Sequence, residues 1–430
     1  MAAEGQLVRR LGTVDAVVIG LGSMIGAGVF AAFTPAAQAA GGGLLVGLAL
    51  AAGVAYCNAT SSAQLAAQYP TSGGTYVYGR ERLGEWPGFL AGWGFVIGKT
   101  ASCAAMALTF ASYAAPTGWE RPVAVAAVAG LAAVNYRGVT RTARLTRAIV
   151  VMVLMALAVV VAASLVGGQP QASQLGGWGD LLAGGWYGIL QSAGLLFFAF
   201  AGYARIATMG EEVRDPERTI PRAITLALAI ALGVYAAVAV AILSVLGADG
   251  VAATTSPLAA AVDVGGWAWA GPVVRVGGAA AALGALLALI AGIGRTSLAM
   301  ARNGDLPRWL AAVHPVHRVP HHAEVALAVA VSGVVLLADL RGAIGFSSFG
   351  VLVYYLVANV AAVTQTGEDR RYPRALQVLG ALGCTALVLT LPDGAVAGGL
   401  AVLAAGVAYR LWRRRGARGS GSDATTPPAT

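Results

Sequence analysis

Apolar runs of about eighteen or more residues recur from one end of the chain to the other, separated by short polar segments. Each run can cross about 30 Å of hydrocarbon as a helix rising about 1.5 Å per residue. The pattern predicts spans near residues 14–39, 42–67, 87–115, 121–136, 144–167, 187–209, 222–248, 270–301, 323–339, 342–364, 374–391 and 394–412. The expected fold class is therefore an all-α integral membrane protein of about twelve transmembrane helices. Residues 1–13 precede the first span and carry no cleavable signal pattern. Residues 413–430 follow the last, and their small, polar, Pro-containing end predicts a disordered tail.

Composition sharpens this reading. Hydrophobic residues make up 58% of the chain and charged residues only 11%, with a mean hydropathy of +0.73. A soluble domain would carry about 25% charged residues, so the solvent for this surface is lipid. The net charge of +9 could suggest a nucleic-acid partner, but the distribution argues otherwise. Arg80/Arg82, Arg137/Arg141/Arg144/Arg147, Arg214/Arg218/Arg222, Arg302/Arg308/Arg318, Arg370/Arg371/Arg374 and Arg413/Arg414/Arg415 fall between alternate spans. Only Arg121, Arg275 and Arg341 fall on the other side. This is the positive-inside pattern, and it predicts a multi-pass protein of the plasma (inner) membrane with both termini cytoplasmic. The long segments 168–186 and 249–269 are then external, and Trp178, Trp186, Trp267 and Trp269 suit an interfacial aromatic belt. Cys57, Cys103 and Cys384 lie within apolar spans and read as small core residues rather than a disulfide set.

Two spans carry interruptions. The first reads Gly20-Leu21-Gly22-Ser23-Met24-Ile25-Gly26-Ala27-Gly28, a glycine density that makes unwinding cheap. A second half-helix would begin near Val29 and point its positive N-terminal end into the gap, where a carboxylate fits. The sixth span is interrupted at Phe197-Phe198-Ala199-Phe200-Ala201-Gly202-Tyr203. Backbone left unpaired in hydrocarbon must line a cavity or be covered by protein. Interruptions at matching positions of two five-span halves point to a central transport site. The plainer reading is that these glycines only let helices pack closely.

Four motifs then resemble the amino acid–polyamine–organocation superfamily, in the right order and over nearly the whole chain. They are Gly22–Phe30 in span one, Tyr69–Tyr78 between spans two and three, Gly210–Arg222 after span six, and Arg295–Pro307 at the end of span eight. The resemblance implies a leucine-transporter-like inverted five-plus-five repeat, here 14–167 and 187–364, with two further helices in 374–412. It also implies an amino acid as the small-molecule substrate, taken up or exchanged. The implied site has backbone N–H groups of Gly26, Ala27 and Gly28, next to Ile25, holding the substrate carboxylate. Carbonyls near Ser23, Met24 and Ala201 would take its ammonium, with Phe198, Phe200 and Tyr203 around Gly202 shaping the side-chain pocket. Many relatives carry an acidic residue just after the span-six glycine, where this chain has Ala204.

Intramembrane charge refines the expectation. No Asp or Glu falls deep in a span; Asp15 and Glu324 sit at span starts. A basic substrate side chain would therefore lack a partner, which favours a neutral amino acid, although the motifs are closest to the cationic-transporter-like branch. Lys99 is the only lysine and lies about 18 Å along its helix from Pro87, near mid-membrane. Burial works against the charged form of an amine, so Lys99 is the candidate for proton coupling. Structural bonding to unwound carbonyls and direct contact with substrate are the other readings. Arg205 is expected to snorkel or to pair with Glu211 or Glu212. His314, His317, His321 and His322 match no standard metal spacing and read as a solvated loop. Neither a cofactor nor a metal is called for. A membrane enzyme would need a clustered catalytic set that is not visible, and a channel would need a filter or charge ring. A transporter-derived nutrient sensor would share the same site.

Overall fold

The computed structural model describes residues 11–419 apart from 27, 71–72, 138–142, 168–169, 176–181, 183, 211 and 318. Ala27, Glu211, Trp178, Arg141 and Arg318, all singled out above, lie outside the described residues. The chain folds as α1 Thr13–Met24, α2 Gly28–Ala31, α3 Phe33–Ala40, α4 Leu44–Gln68, α5 Thr75–Leu83, α6 Glu85–Ala114, α7 Glu120–Tyr136 and α8 Ala143–Ala162. After these come α9 Gly185–Phe200, α10 Ala204–Ala207, α11 Pro216–Ala253, α12 Pro257–Val264, α13 Gly271–Arg302, α14 His321–Leu337, α15 Leu340–Val363, α16 Arg374–Thr390 and α17 Asp393–Gly419. Among the described residues there is no strand, and nine helical stretches are long and apolar enough to cross a membrane. α14 and α16 are apolar but shorter.

Local chemistry explains the start of α6. Gly84 has φ +100°, a conformation open to glycine, and turns the chain out of α5. Glu85 and Pro87 then occupy the first turn, where an acidic group and a missing N–H are both favourable. α6 forms the centre of the bundle and packs most heavily on α15 and α13. Its backbone meets α15 closely: a methyl at Gly98 would lie 3.0 Å from the Gly350 Cα, and one at Gly350 would lie 2.5 Å from the Gly94 carbonyl oxygen. This is the small-residue packing that lets helices approach in lipid. Directly above it, Ser102 and Ser347 share a 2.6 Å hydrogen bond.

Cross-links tie each end of the bundle. At one end Asp15 pairs with Arg147 (2.9 Å), Arg82 donates to Thr364 (3.0 Å), and Gln68 donates to Asp369 (2.6 Å). The segment before α1 pairs with the segment after α10: the Leu11 N–H donates to the Glu212 carbonyl (3.1 Å), and the Arg214 N–H to the Leu11 carbonyl (2.9 Å). Asp305 is buried at this end and holds both Arg80 (3.0 Å) and Arg410 (3.4 Å). Tyr76 donates to the same carboxylate (2.8 Å) and accepts from Asn303 (2.9 Å). The basic segments expected between alternate spans thus gather at one end, called the basic end below. At the other end Thr34 donates to the Thr254 carbonyl (2.7 Å), Arg121 to the Leu336 carbonyl (2.9 Å) and Arg341 to Gln191 (2.7 Å). A buried polar seam, Ser61–Asn359–Asn58, joins α4 to α15 with bonds of 2.6 Å each.

Three expectations are corrected. α17 continues past residue 412 to Gly419, because Arg413 bonds the Leu306 carbonyl (2.8 Å) and Arg414 pairs with Glu85; residues 413–419 are therefore not tail. The segment 249–269 is not simply a loop: α11 runs on to Ala253 beyond a sharp break at Gly247, and α12 fills 257–264. The sixth span does not unwind. It tightens into a 3₁₀ turn at Ala201–Tyr203 between α9 and α10.

Candidate functional site

The first span does break where its glycines cluster. α1 ends at Met24, Ile25 and Gly26 form a bend, and helix resumes at Gly28. Gly26 faces α13, where an added methyl would meet the Ala285 Cβ at 3.0 Å and the Ala281 carbonyl at 3.6 Å. The two interrupted spans touch backbone to backbone. A methyl at Gly202 would lie 2.3 Å from the Ser23 carbonyl oxygen, and one at Gly28 would lie 2.7 Å from the Ala199 Cα. Glycine at both points is what permits the crossing.

Carbonyls at this crossing accept side-chain hydrogen bonds from other helices. The Lys99 ammonium, buried on α6, donates to the Ala201 carbonyl at 3.3 Å. The Tyr235 hydroxyl on α11 lies within bonding distance of two carbonyls, Met24 at 2.6 Å and Ala199 at 2.9 Å. Two of the three carbonyls assigned to the substrate ammonium, Met24 and Ala201, thus already have protein partners. The Ser23 hydroxyl is turned onto its own helix and donates to the Ile19 carbonyl (3.0 Å). Met24 and Ile25 are buried.

The three span-six aromatics take different directions. Phe198 belongs to the apolar cluster of Cys103, Met106, Ala282, Ala285 and Leu286, hence to the same side of the crossing as Gly26 and α6. Phe200 packs edge-on against Tyr235, centroids 5.1 Å apart. Tyr203 packs on Tyr355 at 5.1 Å. Both are fully buried, so Phe198 is the one placed beside the α1–α6–α13 junction. Arg205 pairs with Glu212 at 3.5 Å. The three cysteines are free and buried.

On the side of the junction away from the basic end, Phe30 and Tyr113 meet edge to face with centroids 5.4 Å apart, and the Tyr113 hydroxyl donates to the Phe30 carbonyl (3.3 Å). Gly278 of α13 abuts both rings. This plug and Tyr235 were missed by sequence reasoning. A lone tyrosine in the apolar run 222–248 was the available signal, since a buried phenol needs a partner.

The amino acid permease family profile matches residues 11–407. The chain is 59% identical to an uncharacterized transporter of Mycobacterium tuberculosis, over 95% of this chain and 92% of that protein. It is 24% identical to the branched-chain amino acid permease BcaP of Bacillus subtilis, over 91% of this chain and 90% of that one. To the chloroplastic cationic amino acid transporter 7 of Arabidopsis thaliana it is 26% identical, over 91% and 72%. A helical bundle built around two spans that cross at glycines, matched by this profile over nearly its full length, belongs to the amino acid permease family of the amino acid–polyamine–organocation superfamily, and the chain is a multi-pass membrane transporter.

Proposed function

We propose that the protein is a secondary active transporter that moves a neutral amino acid across the plasma membrane by alternating access, coupled to protons through Lys99. The single observation that carries this reading is the Lys99–Ala201 bond at 3.3 Å, which puts the only lysine at the crossing of the two interrupted spans. In the proposed arrangement, twelve spans form two inverted five-span repeats, 14–167 and 187–364, with two added helices, and the basic end is cytoplasmic. The substrate carboxylate lies against the backbone of Gly26, Ala27 and Gly28. Its ammonium shares the carbonyls near Ser23, Met24 and Ala201, and Phe198 bounds its side chain. Each carbonyl oxygen has two lone pairs, so a bond from Lys99 or Tyr235 leaves room for a second donor.

Protonated Lys99 takes one lone pair of the Ala201 carbonyl and leaves the other for the substrate ammonium. Proton and substrate are then held at the crossing together and move together, so an inside-alkaline gradient drives uptake. Among the described residues no carboxylate lies at the crossing to receive a basic side chain, and this supports a neutral substrate; the similarity to a branched-chain permease agrees with it. The test is uptake of a panel of labelled amino acids into proteoliposomes, with and without an inside-alkaline gradient. Uphill uptake of neutral amino acids driven by the gradient is expected. Accumulation only in preloaded vesicles would make the protein an exchanger and remove proton coupling. Preference for cationic amino acids would overturn the neutral assignment.

A further inference from the structure

His314 and His317 lie in the loop before α14 and His321 and His322 open that helix; His317 and His322 are exposed, yet all four gather against aromatic rings. His314, His317 and His321 surround the Tyr136 ring at centroid distances of 5.4, 6.3 and 6.0 Å. His321 and His322 lie 4.2 Å apart, and His322 packs on Trp309 at 5.6 Å while its Nδ1 meets the Trp309 carbonyl at 2.9 Å. The Nδ1 of His314 accepts the Val316 and His317 N–H groups (3.2 and 3.1 Å), which fixes the turn.

Two open grooves flank Tyr136. One, of about 810 Å³, is lined by Trp309, His321, His322 and the α14 residues Val325, Ala326, Val329 and Ala330. The other, of about 480 Å³, runs between α7 and α14, with Ala132 and Ala133 facing Ala328 and Val329, and with Arg137, His317 and Glu324 at its head. Tyr136, Val325 and Val329 line both. Val325 and Val329 are 53% and 69% exposed on the lipid-facing side of the bundle. Each groove is thus apolar along the helices and aromatic and imidazole-bearing at the basic end, and the second also carries Arg137 there. That polarity follows the membrane normal, with rings at headgroup depth. Basic pockets between helices at this depth suit phospholipid headgroups.

We propose that this bipartite groove binds a glycerophospholipid of the leaflet at the basic end, its phosphate held by Arg137 and the His317 imidazole and an acyl chain lying along Val325 and Val329. The apolar floor along Val325 and Val329 has no use for a free anion, and it is what an acyl chain would cover. The alanines of α7 leave the width that a chain needs.

The test is native mass spectrometry of the purified full chain in detergent, titrated with phosphatidylglycerol and with diacylglycerol of the same acyl chains. Wild type should retain phosphatidylglycerol several-fold over diacylglycerol. The double variant Arg137→Gln/His317→Gln should bring that ratio to about one, and Val329→Trp should lower binding of both lipids. An unchanged ratio in the double variant, or no preference in wild type, overturns the proposal. Inorganic phosphate serves as the other arm. If it raises the thermal midpoint equally in wild type and Val329→Trp while phosphatidylglycerol shows no preference, the ligand is free phosphate and the lipid assignment falls. Elution as a single species with a wild-type thermal midpoint checks that each variant folds; the double variant alone suffices if Val329→Trp does not.

Discussion

Lys99 and Ala201 sit 102 positions apart in sequence, yet the ammonium of one donates to the carbonyl of the other across 3.3 Å of buried space. The bond joins α6, the centre of the bundle, to the tightened turn of the sixth span. Lys99→Ala is expected to abolish gradient-driven uptake while leaving exchange of labelled for unlabelled substrate. Proteoliposome flux at several pH values checks this, and an unchanged pH dependence would sink the coupling role.

Gly202 has no room for a side chain beside Ser23, so Gly202→Ala should cost about 1–3 kcal/mol through overpacking and lower the thermal midpoint. Gly233 of α11 has open space where a methyl would go, so Gly233→Ala should instead stabilise by up to about 1 kcal/mol. Comparing the two midpoints separates close backbone contact from helix propensity.

Tyr235→Phe removes one hydroxyl and leaves the Met24 and Ala199 carbonyls short of a partner. A loss of about 1–3 kcal/mol in stability is expected, with transport slowed because both carbonyls flank the crossing. Equal transport rates in reconstituted wild type and variant would show that the hydroxyl is dispensable there.

The Phe30–Tyr113 contact should seal the junction from the end opposite the basic one. In a background lacking Cys57 and Cys384, Tyr113→Ala should make Cys103 react several-fold faster with a membrane-impermeant thiol reagent added from that side. Identical labelling rates would mean that the pair is not a barrier.

Asp305→Asn leaves Arg410, 6% exposed at its side chain, with only Glu85 and the Trp86 and Phe89 ring faces. A cost of about 3 kcal/mol is expected for breaking this buried pair. Burial pushes the neighbouring Tyr76 phenol up to about 12, and Asp305 acts in the same direction against the Asn303 hydrogen bond. A raised folded-state value means full stabilisation below the ordinary value of 10.0, lost as pH rises through about 12. Tyr76→Phe should remove that alkaline limb from a thermal-stability profile.

What the sequence made legible follows from how local each signal is. The break at Ile25–Gly26 was readable because glycines crowd one short stretch, and Lys99 because an isolated charge stands out in an apolar run. The behaviour of the sixth span was not: the one glycine of the stretch 197–203, Gly202, serves close approach to Ser23, and a single glycine does not oblige a helix to unwind. Phe200 and Tyr203 could not be told from Phe198, since which side of a 3₁₀ turn each ring occupies depends on Tyr235 and Tyr355 from other helices. The Tyr235–Met24 bond spans 211 positions, and the Asp305 clamp gathers residues from α5 and α17. Neither leaves a periodic trace. The packing of the histidines on Tyr136 was hidden for the same reason, because that ring belongs to a distant helix.

The backbone pairing of Leu11 with residues 212 and 214 has a mechanical meaning. Because amide groups rather than side chains make these bonds, the lower half of the first span and the lower half of the sixth are yoked whatever residues occupy the positions. Together with the close contact between Gly202 and Ser23, these bonds tie the two spans at a second point, so a displacement of one at the basic end is expected to carry the other with it. A proline at position 11 would take away the amide donor to Glu212 and leave the spans tied by the Arg214 N–H alone.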